Sequence, residues 1–449
     1  MQEGALQRLI VLFQRAFDQL GLQVPIKTLE EMAVLIHRAM TVQARNYHNL
    51  EHVIHLVDEH DPVRTLAALF HDIVYYQVDL GFLPEIWEIV APYLEPRESA
   101  FQLSGGPASR ERSFRLAREV FNLPLGQVIT PAGGINEFLS AVVLNCQLGR
   151  FVPEALLFKM NVCIEATIPF RGPGPDGRGY FEQVLERMRA INQRWGFELT
   201  EGELVQTVST AVQLANRDVE SFGDPSPQGF LYNTWKLLPE TNVPLRSRYV
   251  YTIREYREAL QRVQVFFKIL DPQVIFHQYN GVPSDAEYQG LVARARRNIA
   301  VGQVYLQMKL LAQAILEALA EQTGGDAPLS LFMGDVPDDI VSDRLEDHLP
   351  PVADPPWVDT ASSLYQLLAS GRLEEPGFDT NSSPLTLFIY RSLTAEQIAR
   401  SSLLADEMFA HRLTPGELLD RLEPAVVQPI ARAAAQMVIT RREDLLRFA

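Results

Sequence analysis

The chain has 449 residues, 47% hydrophobic and 21% charged, which suits a folded core and argues against disorder. With 40 Lys and Arg against 56 Asp and Glu, the formal charge of −16 opposes phosphate backbones and anionic lipid at long range, so no nucleic-acid polymer and no membrane is expected as partner. Two cysteines, Cys146 and Cys163, argue against a secreted disulfide framework and for a reducing, cytoplasmic setting.

The N-terminal stretch lacks the basic region of a signal peptide. Leu9, Ile10, Leu12, Phe13, Phe17 and Leu20 recur at helical spacing and predict an amphipathic helix. Thr28 with Glu31, Ser284 with Glu287, Thr394 with Gln397 and Thr414 with Glu417 fit the N-cap pattern, in which a hydroxyl takes one free amide and the residue at N3 returns the bond. Glycine and proline mark loops at 104–110 and 171–179. Leu291, Ala295, Ile299, Val304, Met308, Leu311, Ile315 and Leu319 predict one long helix over 285–321, with Gln307, Lys309, Gln313 and Glu317 interrupting the run a membrane span requires. Phe222, Phe230, Tyr232 and Trp235 read as core aromatics around Asp224.

Between 323 and 359 lie two adjacent glycines, the acids Asp335, Asp338, Asp339, Asp343, Glu346 and Asp347, and then Pro350, Pro351, Pro355 and Pro356, the composition of a linker. Amphipathic helices resume beyond it. The expectation is an all-α protein: a helical domain at 1–322, an acidic Pro-rich linker at 323–359 and a small helical unit at 360–449.

Five of the nine histidines fall within residues 48–71. His48 and His52, at i and i+4 of a predicted helix, share one face about 6 Å apart, close enough to serve one centre. His71 and Asp72 follow an apolar run, and burying an imidazole beside a carboxylate costs roughly several kcal/mol unless something pairs with them. A divalent cation is a suitable partner, and it needs a further oxygen ligand from elsewhere in the chain. Arg45 has the fork that grips phosphate oxygens, although an exposed arginine at a helix start serves equally as a solvated residue. His55 reads as a supporting or packing residue. The stretch from Cys163 through Glu165 and Thr167 to Arg171 runs into the glycine-proline loop ending at Arg178. It reads either as a lid closing over a phosphorylated ligand, with Arg171 as a contact, or as a solvated surface loop.

Tyr47-His48-Asn49-x-x-His52 and Phe70-His71-Asp72-Ile73-Val74-Tyr75 resemble the HD-domain superfamily of metal-dependent phosphohydrolases, most closely its small bacterial members and more distantly the cyclic-nucleotide phosphodiesterases. Glu111-Arg112-Ser113, the segment around Asn216-Arg217-Asp218, Tyr251 to Tyr256, and 293–299 extend the likeness over about 27–320. The resemblance implies an HD-domain-like helical bundle in which His52, His71, Asp72 and Asp218 hold the metal. It further implies a catalytic set of Asp72 with His48 as general acid, and hydrolysis of a small phosphorylated or nucleotide substrate by metal-activated water. With no histidine between His71 and His277, one divalent ion is expected, and Mn, Fe, Co, Mg and Zn are not distinguished.

Leu144-Asn145-Cys146-Gln147 replaces a threonine and a histidine that line the pocket in many small HD proteins, and 76–110 is a long insertion suited to a lid. These departures support an alternative, a catalytically weak or inactive HD-fold binding or regulatory module. The insertion or the C-terminal extension would then receive a protein partner.

Overall fold

The computed structural model describes residues 4–98, 100–248, 250–334, 343–374, 377–380 and 382–449. Helices dominate it, as expected, with a small three-stranded antiparallel sheet beside them. Two compact units form, one from 1–220 with 271–293, the other from 221–270 with 294–449. This division cuts the chain at other places than composition does.

The first unit contains α1 (Ala5–Gln19), α2 (Ile26–Met40), α3 (Leu50–Leu56), α4 (Pro62–Phe70), α5 (Tyr76–Asp79), α6 (Pro84–Val90), α7 (Arg112–Val120), α8 (Ile135–Leu148), α9 (Glu154–Ala166), α10 (Tyr180–Trp195) and α11 (Glu201–Asp218). The expected amphipathic α1 buries Leu9, Leu12, Phe13, Ala16 and Phe17. Helix α2 begins two residues before the predicted Thr28 cap, because Pro25 presets the entry and the chain is helical from Ile26. Helices α4, α8, α9 and α11 form the centre, and Leu66 to Phe70 are fully buried. The region expected as a lid holds α5, α6 and the strands β1 (Leu94–Arg97) and β2 (Ala100–Leu103), which pair with each other, while β2 pairs with β3 (Val128–Ile129). Residues 171–179 are the loop expected.

The second unit contains α12 (Pro227–Thr241), α13 (Ile253–Ile269), the larger part of α14 (Asp285–Gln322), α15 (Leu329–Met333), α16 (Ser363–Ser370), α17 (Pro384–Ser392), α18 (Ala395–Phe409), α19 (Pro415–Arg421), α20 (Pro424–Met437) and α21 (Arg442–Leu445). The predicted long helix is a single element of 38 residues, started by the Ser284–Glu287 capping pair, and 72% of its most apolar window is buried in the protein. The Thr394 and Thr414 caps form as expected. Phe222, Phe230 and Trp235 are buried core aromatics.

Residues 323–334, read from composition as the start of a linker, carry α15 and bury Ala327, Leu329 and Phe332. Backbone bonds from Ile253 to Ala327 and from Leu329 to Tyr251 tie them to the start of α13. Asp335, Asp338 and Asp339 lie outside the described residues. Leu345, inside the acidic run, is fully buried.

Candidate metal centre

Helix α3 starts at Leu50 because the Asn49 side chain accepts the backbone N–H groups of Glu51 and His52 at 3.0 and 3.2 Å. Leu50, Val53 and Leu56 face the core, which fixes the rotation of the helix and the direction of His52. Helix α4 is capped by Asp61, whose other oxygen accepts from Thr210 of α11 at 3.2 Å, and it ends at Phe70 with His71 as C-cap. Asp72 therefore lies in the turn beyond the helix. That turn is braced by α8, where Ser140 accepts the Val74 N–H and Asn136 accepts the Tyr76 N–H. Asp218 ends α11, and the preceding Asn216 exchanges a reciprocal pair of bonds with the His277 backbone at 2.7 and 2.8 Å.

These supports bring His52, His71, Asp72 and Asp218 together, with one ligand atom from each lying within 4.8 Å of all the others. His52 Nε2 is 3.0 Å from Asp218 Oδ1 and 3.7 Å from Asp72 Oδ2, while His71 Nε2 is 3.0 Å from Asp72 Oδ2 and 3.5 Å from Asp218 Oδ1. Ligands at about 2.1 Å from a common ion stand about 3.0 Å apart at right angles and about 3.4 Å apart at tetrahedral angles. Two of the nitrogen–oxygen separations, at 3.0 Å, fall in that range, and the other two, at 3.5 and 3.7 Å, lie just above it.

His71 donates Nδ1–H to the Ala68 carbonyl at 2.8 Å, which leaves Nε2 to face the acids. His71 Nε2 and Asp72 Oδ2 are both buried, and neither completes a well-directed hydrogen bond. Two carboxylates and two imidazoles, with these atoms unsatisfied at the centre, fit a divalent cation.

Burial opposes the charged form of His71, but Asp72 and Asp218 overcome it and hold its pKa well above the ordinary histidine value. Burial likewise opposes ionisation of the two acids, yet His71 with His48 and His52 holds Asp72 far below the carboxylate range, and His52 with His71 holds Asp218 at about 2. The site stays charged by mutual pairing.

His48 is not on the helix with His52, because Asn49 is the N-cap and His48 precedes it. Its ring still lies 5.7 Å from the His52 ring and packs edge-on against Tyr75 at 4.5 Å, within electrostatic reach of Asp72. Arg45 is not a free phosphate fork. It donates to both Asp79 oxygens at 2.8 and 2.7 Å and to the Asp72 carbonyl at 2.7 Å, with its side chain 0% exposed. It acts as a strut under the turn that carries Asp72.

Arg171 is partly buried in a polar cluster where Arg187 donates to Glu165 at 2.8 Å and Tyr180 stands nearby. Arg178 pairs with Asp176 and Glu186 at the surface. His55 is not a packing residue: it is exposed and pairs with Glu220 at the surface, beside Arg217 and outside the quartet. Asn145 is locked in a reciprocal amide pair with Asn161 and donates to the Ser113 carbonyl, so it joins α7, α8 and α9.

One residue at the site carries no sequence signal. Glu137, in the first turn of α8, has a pKa raised to about 7 by burial, to which the charges of Asp72 and Asp218 add, and its Oε2 is buried without a partner among the described residues. Gly134, at φ +85°, starts α8 where a Cβ would meet Ile168 Cδ1 at 2.4 Å.

Comparison with protein-family models, curated proteins and solved structures finds no match.

Proposed function

We propose that the chain is an HD-type, metal-dependent phosphohydrolase acting on a small phosphorylated or nucleotide compound. The observation that carries this reading is the convergence of two imidazoles and two carboxylates, drawn from residues 52, 71, 72 and 218, at spacings a single ion spans. His52, His71, Asp72 and Asp218 would hold one divalent ion. When bound, that ion supplies Lewis acidity toward a phosphoryl oxygen and a water that ionises near neutral pH.

His48 holds a proton beside the quartet and delivers it to the leaving oxygen, with Tyr75 fixing the plane of its ring. Arg45 orients Asp72 through its carbonyl and leaves recognition of the phosphate to other groups. That commitment of Arg45 to Asp79 is the observation favouring the second reading, a binding or regulatory module, because it removes one cation from the ligand's reach. A phosphoester panel assayed with wild type, Asp72→Ala, Asp218→Ala and His48→Gln tests the proposal. Turnover in wild type that falls by at least about 100-fold in each variant supports it, and equal turnover in all four overturns it.

A further inference from the structure

The second unit contains a cavity of about 60 Å³ beside α14, lined by none of His48, His52, His71, Asp72 and Asp218. At about 10–15 Å³ per water-sized group, it has room for about four to six such groups, a range that includes the five heavy atoms of a phosphate. Its wall presents Lys309 and Gln313, one turn apart on α14. The Lys309 side chain is only 9% exposed, and its nearest acid, Asp379 Oδ2, is 3.9 Å away, beyond hydrogen-bond reach.

That carboxylate oxygen is already saturated. It accepts from Trp235 Nε1 at 2.9 Å, from the Tyr256 hydroxyl at 2.7 Å and from Arg372 at 3.2 Å. Arg372, with its side chain 0% exposed, supplies the counter-charge. The three N–H donors of Lys309 are therefore left without an acceptor among the described residues, with the Tyr256 ring 5.6 Å away as their other neighbour. Gln313, 4% exposed, has its Oε1 buried without a partner among the described residues. A protein interior retains an ammonium and an amide in this condition at a cost, and the cost is removed when a ligand brings an oxyanion to one and an O–H to the other. Arg248 and Arg344 also line the cavity, as do the acids Glu346 and Asp379; Glu346 faces Arg344 at 3.7 Å, so with Lys309 the lining keeps a small excess of positive charge.

We propose that this cavity is a binding site for a phosphate group carrying a proton, either free inorganic phosphate or the phosphate of a small metabolite. Its oxygens take the Lys309 ammonium, and its O–H donates to Gln313 Oε1. Sulfate, fully ionised at neutral pH, lacks that donor.

The test uses the full chain carrying Asp72→Asn, so that phosphate at the metal quartet does not contribute. Thermal melts and calorimetric titrations are run with inorganic phosphate, glycerol phosphate and sulfate. The expected result is a melting temperature that rises with phosphate, sulfate binding about tenfold weaker, and at least about a tenfold loss of phosphate affinity in Lys309→Met. The ligand-free Lys309→Met protein melts within a few degrees of its parent, since Asp379 keeps Arg372, Trp235 and Tyr256 and loses only the distant Lys309 ammonium. Glycerol phosphate binding as tightly as inorganic phosphate assigns the site to a metabolite, and weaker binding assigns it to the free ion. Should Lys309→Met not fold, Gln313→Leu and the partly exposed Arg344→Gln carry the test, with expected losses of about tenfold and about threefold. Phosphate that shifts neither wild type nor Asp72→Asn, or that binds the cavity variants as tightly as their parent, overturns the proposal.

Discussion

Asp79→Asn is the sharpest probe of how the metal centre is supported. Arg45 donates to both Asp79 oxygens, and the two side chains are 0% and 12% exposed, so the substitution leaves a guanidinium buried without a counter-charge. Breaking such a pair from one side costs about 3–5 kcal/mol, and because asparagine keeps one acceptor the expected loss is about 3 kcal/mol. In a unit of this size each kcal/mol moves Tm by about 2–4 °C, which predicts a fall of about 6–12 °C by calorimetry or circular dichroism. Replacing both partners, Arg45→Met with Asp79→Leu, recovers most of that loss, because a packed apolar pair leaves no orphaned charge. A shift below about 2 °C for Asp79→Asn would refute the strut. So would an Arg45→Met protein of unchanged Tm with weakened phosphate affinity, since that is the signature of a ligand-binding arm.

Asn49→Ala removes two acceptor contacts at the start of α3 and costs about 1 kcal/mol by urea unfolding, with weaker metal affinity because His52 loses its amide anchor. In metal-free protein, His71 is raised above its unfolded value of 6.5, so its contribution is complete below pH 6.5 and fades as pH rises through the folded pKa. Asp72 and Asp218 are depressed below 3.8, so theirs is complete above pH 3.8 and lost as pH falls through their folded values. Tm of the metal-free protein should accordingly fall on the alkaline side, and less so in His71→Gln. Glu137, raised from 4.5 to about 7, contributes stability below pH 4.5 that is lost as pH passes 7, so Glu137→Gln melts higher than wild type above pH 7 and the gap closes in acid. Equal melting curves across that range would contradict the placement of Glu137.

Residues 52, 71, 72 and 218 were legible because the paired His-Asp dipeptide and the histidine density carry a pattern, and the resemblance supplied the distant aspartate. The interior of α14 was legible from its apolar spacing, and its start from the Ser284 cap. Arg45 was misread because its partner comes from the insertion, 34 residues on, and no local pattern announces a long-range ion pair. Glu137 was missed for the opposite reason: a single acid in an apolar helix looks like a solvated first-turn residue until the packing around α8 covers its Oε2. The His48–His52 pair was placed on one helix because spacing alone does not reveal that Asn49 caps it. Strands β1 and β2 were missed because four residues each, including Pro96 and Arg97, give no clear alternation. Residues 323–334 read as linker because composition records glycine and acid, while Phe332 finds a core that only the folded chain provides.

The most direct test of the central claim is the metal content and metal affinity of purified wild type, Asp72→Asn and Asp218→Asn, measured by elemental analysis and calorimetric titration of chelator-treated protein. Wild type is expected to hold about one equivalent of divalent ion, bound more tightly as pH rises because the His71 proton must leave, and either variant to lose at least about 100-fold in affinity. Equal metal content and affinity in all three proteins would contradict that claim.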